Sequence, residues 1–175
     1  MKIYNASDFK EMPWKNGGGV ATELFCKVDQ NNQLLFRISM AKVSSNGPFS
    51  LFPHINRALL LLSGNGFKLT GQKTHTTLTL NSPTFYFSGE EAITCELIEG
   101  ECLDFNVMIH SQMGEALVSK GLFSEEEAND FNGERFFYFP KQNQLLHLQK
   151  NESLDNKTYL HEECITIQVI LSACI

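Results

Sequence analysis

The chain has 175 residues, a length that suits one domain or two small halves sharing a core. Hydrophobic residues make up 42% of the sequence and charged residues 19%, which excludes the composition of a disordered chain. The formal net charge is -6 and no basic run occurs. We therefore expect no nucleic-acid partner, because binding to DNA or RNA needs clustered positive charge.

The apolar segments and the cysteines bear on where the protein works. The longest apolar stretch, 58–62, is far too short to span a bilayer, and the first residues lack an apolar signal region. We therefore expect a cytoplasmic protein with no membrane partner. The cysteines form no CxxC pair, which favours free thiols over a disulfide framework or a zinc site. They are Cys26, Cys95, Cys102, Cys164 and Cys174.

The first part of the chain contains a glycine-rich segment between two predicted strands. Residues 1–12 predict a short strand and a turn, and the glycine-rich segment follows at 13–19. A polar turn cluster at 29–33 separates the apolar runs 20–28 and 34–43. This arrangement predicts a β-hairpin.

Strand patterns continue to residue 109. A strand at 57–62 is followed by the tight-turn sequence 63–66 and a return strand at 67–70, which predicts a second hairpin. Repeated short strands broken by Gly, Pro and Asn are typical of a β-sandwich or barrel, so the predicted fold class is mostly all-β. The further predicted strands are 74–80, 84–88, 92–99 and 104–109.

The last third of the chain differs in pattern from the rest. Residues 111–130 form the only segment with helical character, and residues 133–175 return to β patterns. No long polar linker interrupts the sequence. We therefore predict a single domain in which one short helical segment joins two β-rich parts.

Polar side chains recur on one face of several predicted strands. Arg37 and Ser39 share a face, Arg57 opens another strand, and Asp104 and Asn106 share a face, because side chains alternate along a strand. In a barrel one alternating set points inward, and arginine is well suited to bind a carboxylate. The pattern predicts a polar pocket for a small carboxylate. The alternative is that each of these residues faces solvent.

The glycine-rich segment offers a second element of a binding site. Its consecutive residues Gly17, Gly18 and Gly19 suit a backbone with positive φ or a close approach, and free N–H groups there could bind an anion. Trp14 supplies an apolar wall with one N–H donor, and Lys15 supplies a positive charge. The alternative is a flexible surface loop. The segment lacks the GK[ST] ending of a P-loop.

The histidines and nucleophiles give no catalytic or metal signature. The five histidines show no HxH or HExxH spacing, so we expect no metal and no other cofactor. Ser39 and Ser50 have no base beside them in sequence, and Cys26 and Cys102 lack local activating charges of the expected kind. An enzyme is the alternative interpretation: a hydrolase or isomerase acting on a small carboxylate, with Asp104 or Glu23 as general base.

Taken together, these motifs resemble those of the HutD/Ves family. The similarity covers residues 1–110 in order and spacing, whereas residues 111–175 match only in length and β character. The motifs are Pro13-Trp14-Lys15-Asn16-Gly17-Gly18-Gly19, Thr22-Glu23, Phe36-Arg37-Ile38-Ser39-Met40-Ala41, Gly47-Pro48-Phe49-Ser50-Leu51-Phe52-Pro53, Asn56-Arg57, Phe87-Ser88-Gly89-Glu90 and Asp104-Phe105-Asn106-Val107-Met108.

The resemblance implies a bicupin built on a cupin-like double-stranded β-helix. Residues 1–110 would form the first barrel half, and residues 111–175 a helical connector and the second half. It also implies a metal-free sensor of a small carboxylate in histidine utilisation or the stress response, with formylglutamate, urocanate or formate as candidate ligands. A homodimer through a sheet edge would cover unpaired strands. The candidate ligand-binding residues are Trp14, Lys15, Asn16, Gly17, Gly18, Gly19, Arg37, Ser39, Phe49, Ser50, Phe52, His54, Arg57, Asp104 and Asn106.

The chain departs from the family pattern in the connector 52–57. The family reads FPGxDR there, whereas this sequence places His54 at the glycine and Asn56 at the aspartate. Because a residue with a Cβ disfavours the left-handed region, we predict that the backbone at His54 avoids positive φ. Asn56 removes a negative charge, so we expect a less negative local potential.

Overall fold

The structure is a computed structural model that describes residues 1–14, 18–131, 133–154 and 159–172, without the side chain of Glu127. Within these residues the chain forms antiparallel β-strands, the 3-10 helix Ala6–Asp8 and the α-helix α1 (Glu125–Asp130), which confirms the mostly-β prediction. None of the helices in this part of the chain is long and apolar enough to cross a membrane. The strands are β1 Lys2–Tyr4, β2 Lys10–Pro13, β3 Gly19–Val28, β4 Leu34–Val43, β5 Gly47–Pro48, β6 Ile55–Ser63, β7 Phe67–Thr70, β8 His75–Leu78, β9 Phe85–Ser88, β10 Thr94–Leu97, β11 Cys102–His110, β12 Gly114–Leu122, β13 Glu134–Phe139, β14 Gln144–Leu148 and β15 Glu163–Leu171.

The strands group into two units, which we call the central and the terminal unit. The central unit is Lys10–Met113, and the terminal unit joins Met1–Phe9 to Gly114–Ile175. The first nine residues belong to the terminal unit because β1 pairs with β14, Ile3 lying opposite Leu146. No sequence pattern indicates this pairing of distant segments.

The central unit contains two antiparallel sheets. One sheet has the strand order β2-β3-β4-β11-β6-β9 and the other β5-β10-β7-β8. Both sheets contribute to one apolar core, because burial of aliphatic and aromatic side chains stabilises facing sheets. The core residues are Val43, Leu59, Leu61, Phe67, Leu69, Leu78, Ile93, Cys95 and Cys102.

The hairpin predicted around residues 29–33 is confirmed. Strands β3 and β4 pair along their length on either side of this turn. The carboxylate of Asp29 accepts hydrogen bonds from the backbone N–H groups of Asn31 and Gln33, each at 2.8 Å. Asn32 takes a φ of 60°, a conformation that asparagine tolerates well.

The hairpin predicted at Ser63–Gly66 is wrong. Strand β6 pairs with β11 and β9, whereas β7 pairs with β10 and β8, so the turn carries the chain from one sheet to the other. Gly64 and Gly66 have φ values of 99° and 113°, and a Cβ on Gly66 would lie 2.2 Å from the carbonyl oxygen of Leu78. The glycines permit a sheet-to-sheet crossing that local sequence does not distinguish from a hairpin.

The helical prediction for 111–130 is also wrong over most of its length. Residues Gly114–Leu122 form strand β12, which pairs with β15 at the edge of the sheet β1-β14-β13-β15-β12 of the terminal unit. Gly114, Ala116 and Val118 are buried and alternate with exposed residues, which is the period of a strand. Only Glu125–Asp130 is helical, and its Ala128 packs into the core of this unit.

Candidate functional site

The central unit contains a cavity of about 560 Å³. Its wall is built by strands β2, β3, β4, β6 and β11 together with the segment 49–52 that follows β5. This volume lies in the range typical of small-molecule sites. The lining residues are Met12, Pro13, Trp14, Ala21, Arg37, Ser39, Ala41, Pro48, Phe49, Ser50, Leu51, Phe52, Arg57, Asp104, Asn106 and Met108.

Strand register places the polar residues of three strands side by side. Strand β11 lies between β4 and β6. Asn106 is opposite Ser39 on β4, and Met108 is opposite Arg37 on β4 and Arg57 on β6. Directly paired residues in an antiparallel sheet share a face, so the alternation predicted from the sequence puts these side chains on the cavity wall.

Arg57 is a buried cation surrounded by aromatic rings. It is 6% exposed, and its guanidinium carbon lies 5.3 Å from the ring centre of Phe49, 5.4 Å from that of Phe52 and 4.8 Å from that of Phe87. These distances allow cation–π attraction. Its Nη1 donates a long hydrogen bond of 3.5 Å to the carbonyl oxygen of Ser50. Its Nε has no partner among the described residues.

The charge of Arg57 survives this burial. Burial and, to a lesser degree, the nearby Arg37 lower the pKa of Arg57 to about 10, while Asp104 opposes the shift. The guanidinium is therefore protonated at neutral pH. A buried positive charge with an unused N–H group is the feature of this wall best suited to hold an anion.

Asp104 is the second buried ionisable group of the cavity. It is 3% exposed, and its Oδ1 has no hydrogen-bond partner in the described part of the chain. Burial raises the pKa of Asp104 to about 7, and the positive charge of Arg57 only partly offsets that effect. The carboxyl group is therefore present in both protonation states near neutral pH.

Asn106 and Ser39 continue the polar wall. Both are buried, at 6% and 3% exposure, and their strands pair directly at this position. Oδ1 of Asn106 has no partner among the residues described. The wall thus carries two buried acceptor oxygens, from Asp104 and Asn106, to which no described residue donates a hydrogen bond.

Arg37 differs from Arg57 because it has an acidic partner. Its Nε lies 3.1 Å from Oε2 of Glu23 on β3, although the contact lacks the alignment of a hydrogen bond. Glu23 does not line the cavity. The pair neutralises the charge of Arg37, whereas the charge of Arg57 is opposed only by Asp104, which is partly protonated near neutral pH.

The structure places only part of the glycine-rich segment beside the cavity. Trp14 lines the cavity, and its backbone N–H donates to the carbonyl oxygen of Gly19 at 2.9 Å. A Cβ on Gly19 would lie 2.3 Å from the carbonyl oxygen of Lys42 and 3.2 Å from the Trp14 ring. The atoms that approach Gly19 closely are thus those of Lys42 and Trp14 and not those of a ligand.

The remaining glycine-rich positions lie elsewhere or outside the described residues. Gly18 is off the cavity lining, and its carbonyl oxygen accepts a hydrogen bond from Ser44 N–H at 3.0 Å. The predicted site residues Lys15, Asn16 and Gly17 lie outside the part of the chain that the structure describes.

The prediction that His54 avoids positive φ is wrong. His54 has a φ of 62°. Its N–H donates to Oε1 of Glu90 at 2.9 Å, and its carbonyl oxygen accepts from Ser111 N–H at 2.8 Å. These bonds hold the turn in the left-handed conformation despite the Cβ. His54 and Asn56 are both exposed and neither lines the cavity.

Sequence reasoning missed the aromatic partner that β9 supplies to Arg57. Phe87 lies directly opposite Arg57 in the register of β6 and β9. The two are thirty residues apart in sequence, and the only local signal is the aromatic alternation Phe85 and Phe87. Met12, Pro13, Ala21, Ala41, Pro48, Leu51 and Met108 are lining residues not predicted from the sequence.

Metal-ligating groups do not cluster in the described part of the chain. No set of three or more His, Cys, Asp or Glu side chains there is arranged to hold an ion. His54 and His110 approach each other at the surface, with 6.0 Å between ring centres.

Three comparisons with known proteins bear on identity. The family model described as HutD matches residues 6–168. An uncharacterized 21.2 kDa protein in the hutC 3'region of Pseudomonas putida is 33% identical over 115 residues, covering 64% of this chain and 60% of the relative. Protein Ves of Citrobacter koseri is 33% identical over 105 residues, covering 58% of this chain and 55% of the relative. The chain thus spans little more than half the length of the curated relatives it matches.

Solved structures share the fold over nearly the whole chain. HutD from Pseudomonas fluorescens SBW25, in a formate condition, superposes with a TM-score of 0.74 at 23% identity, covering 98% of this chain and 99% of that one. A conserved Pseudomonas aeruginosa PAO1 protein of unknown function gives 0.66 at 22% identity, covering 96% and 92%. At these identities the likeness establishes the fold alone. The family match over residues 6–168 shows that this mostly-β chain belongs to the HutD family.

Proposed function

We propose that the protein binds a small carboxylate-bearing metabolite in the cavity of the central unit, without a metal ion. The observation that carries the proposal is Arg57: a buried, charged guanidinium on the cavity wall whose Nε has no partner among the described residues. A carboxylate is the natural counterion for such a group, because its two oxygens match the guanidinium fork.

The surroundings of Arg57 favour tight anion binding. Phe49, Phe52 and Phe87 exclude water from the guanidinium, and charge–charge attraction strengthens as the local dielectric falls. The rings also hold the guanidinium in place before ligand arrives, so little side-chain freedom is lost on binding. The site therefore favours a small anion over a neutral molecule of the same size.

The charge balance of the wall favours a single negative charge. Glu23 already compensates Arg37 at 3.1 Å, and Asp104, with its pKa raised to about 7 by burial, can take up a proton. When Asp104 is protonated and neutral, the guanidinium of Arg57 gives the cavity wall a net charge of one positive unit. One ligand carboxylate would neutralise it.

The relatives supply the biological setting of the proposal. One matching protein lies in the hutC 3'region, and the fold match is to HutD in a formate condition. We therefore propose that the ligand belongs to histidine utilisation or to a stress response, that the protein senses it in the cytoplasm, and that formylglutamate, urocanate and formate are candidates. A homodimer through a sheet edge stays a prediction.

A thermal-shift titration tests the proposal. Formate, formylglutamate, urocanate and glutamate are added to the purified protein, and saturating ligand should stabilise the fold by about 2.7 kcal/mol at a hundredfold excess over Kd. Arg57→Met keeps the side-chain bulk but removes the charge, so it should abolish the shift. Lys68→Met, at an exposed position of β7, is the matched control and should keep it. No shift with any acid, or an unchanged shift in Arg57→Met, contradicts the proposal, as does stoichiometric metal in elemental analysis.

Asp104 supports a second candidate function. A buried carboxyl group with a pKa near 7, on the wall of a cavity that also holds a cation, meets the requirements of a general acid–base. The alternative is thus an enzyme, a hydrolase or isomerase acting on the bound carboxylate. NMR of the same acids incubated with protein decides between the two: turnover that is lost in Asp104→Asn establishes an enzyme, and unchanged spectra favour the binding protein.

A further inference from the structure

We propose that the ligand carries an N–H or O–H donor in addition to its carboxylate, and that Asp104 and Asn106 select for that donor. This inference rests on the proposed function, because it assigns a second half to the same binding site. It narrows the ligand from small carboxylates in general to carboxylates with an amide, azole or hydroxyl hydrogen.

The first support is the pair of unused acceptors. Oδ1 of Asp104 and Oδ1 of Asn106 are buried, and neither has a partner among the described residues. Native proteins rarely leave such atoms unsatisfied, because desolvating an acceptor without a hydrogen bond is costly. Both residues line the cavity, so a bound molecule can reach them.

The second support is the chemistry of the neighbouring strands. Asp104 lies opposite Ala41 on β4 and Leu61 on β6, and Asn106 lies opposite Leu59 on β6. These aliphatic side chains have no donors. Ser39, opposite Asn106, supplies the only hydroxyl among the directly paired neighbours of the two acceptors in the described sheet. Apart from the Ser39 hydroxyl, the directly paired side chains in the described sheet therefore offer the two acceptors no donor, and a bound ligand could supply one.

The third support is the spacing along β11. Arg57 is in register with Met108, two residues from Asn106 and four from Asp104. At the rise of a β-strand this corresponds to roughly 7 and 13 Å of strand between the paired positions. The long side chain of Arg57 shortens the distance from its guanidinium to the two acceptor oxygens. A ligand whose carboxylate is bound by Arg57 can still place further atoms beside these oxygens. Formate alone would leave the acceptors unsatisfied.

Two matched pairs of acids test the inference by isothermal titration calorimetry. N-acetylglycine and levulinate differ only by an N–H in place of a CH₂ group. Pyrrole-2-carboxylate and 2-furoate differ by an N–H in place of a ring oxygen. The wild-type protein should bind the N–H member of at least one pair at least tenfold more tightly, because an unsatisfied acceptor penalises the other member.

Two substitutions assign the preference to residues. Asp104→Leu and Asn106→Leu each replace an acceptor by an apolar group of similar size, and each should reduce the affinity ratio within the pairs by weakening binding of the N–H member. Asp104→Leu should even tighten levulinate binding, since it removes a negative charge near Arg57. Glu96→Leu, the same kind of change at an exposed position of β10, should leave the preference unaltered. Circular dichroism establishes that each variant is folded. Asp104→Ala replaces Asp104→Leu if the leucine variant does not fold, because asparagine would keep an acceptor oxygen at this position.

The outcomes separate the inference from the proposed function. Equal affinity within both pairs, or a preference that survives both acceptor substitutions, overturns the inference while the carboxylate site stands. Binding of formate but of none of the four paired acids also overturns it. If no carboxylate binds at all, the proposed function fails and the inference fails with it.

Discussion

Arg57 and Asp104 lie on the neighbouring strands β6 and β11, both almost fully buried on one cavity wall, yet no ion pair joins them. Their charges still act on each other, since each opposes the effect of burial on the pKa of the other. Two opposite charges that are buried together but not paired are costly to keep. Such an arrangement is expected where a ligand completes the site.

The first prediction concerns the pH dependence of stability. Burial raises the pKa of Asp104 from its ordinary value of 3.8 to about 7 in the folded protein. Between these values the folded state binds more protons than the unfolded state, so stability falls as pH rises. The free energy of unfolding of the wild type should decline relative to Asp104→Asn by up to about 1.4 kcal/mol per pH unit.

Urea denaturation at pH 5, 6, 7 and 8 measures this difference. The free energy of unfolding of the wild type minus that of Asp104→Asn should fall between pH 5 and pH 7. It should level off above the pKa of Asp104 in the folded protein. Using the difference cancels the contributions of the other acidic groups. A wild-type curve that runs parallel to that of Asp104→Asn would show that Asp104 titrates normally in the fold.

The second prediction concerns the Glu23–Arg37 pair. Glu23→Gln removes the charge that compensates Arg37, so the cavity becomes more positive and carboxylates should bind about three- to tenfold more tightly. Stability should change by no more than about 1 kcal/mol, because the pair is partly exposed. Calorimetry at low and high salt measures the gain in carboxylate affinity and shows whether added salt screens it. Weaker binding would indicate that Glu23 instead holds Arg37 in its binding geometry.

The third prediction concerns His54. Its φ of 62° carries a steric cost for a residue with a Cβ but none for glycine. His54→Gly should therefore stabilise the protein by up to about 1 kcal/mol, raising Tm by about 2–4 °C. His75→Gly, at the start of strand β8, should instead destabilise it. Differential scanning calorimetry measures both, and a lower Tm in His54→Gly would show that the imidazole contributes more than the backbone costs.

The fourth prediction concerns Gly19 and the single tryptophan of the chain. A Cβ at Gly19 would overlap the carbonyl oxygen of Lys42 at 2.3 Å and touch the Trp14 ring. Gly19→Ala should cost about 1–3 kcal/mol and shift the Trp14 fluorescence, because the ring must move at the cavity wall. Gly47→Ala, where a Cβ would meet nothing within 4 Å, should do neither. An unchanged emission spectrum in Gly19→Ala would contradict the packing.

Local sequence was a good guide wherever a pattern repeats along one strand. The alternation of Arg37 with Ser39 and of Asp104 with Asn106 predicted shared faces, and the structure confirms that each pair lies on one wall. The family resemblance drawn from the motifs is likewise confirmed. The cluster at 29–33 was enough to predict a hairpin, because its turn chemistry acts within five residues.

Local sequence was a poor guide wherever the outcome depends on which strands meet. Gly64 and Gly66 suit a hairpin and a crossing equally well, and only the pairing of β7 with β10 and β8 decides. Gly114–Leu122 becomes a strand because β15 offers a partner along its whole length. Both errors reflect tertiary pairing that overrides weak local preference.

The sequence by itself determined that this is a mostly-β member of the HutD family with arginines, a carboxyl group and an amide on alternating strand positions. Those features follow from residue types and from the two-residue period of a strand. Only the tertiary structure decided that Glu23 neutralises Arg37 while Phe49, Phe52 and Phe87 surround Arg57. Charge compensation and burial depend on neighbours from distant strands, and those neighbours are fixed only when the sheet assembles.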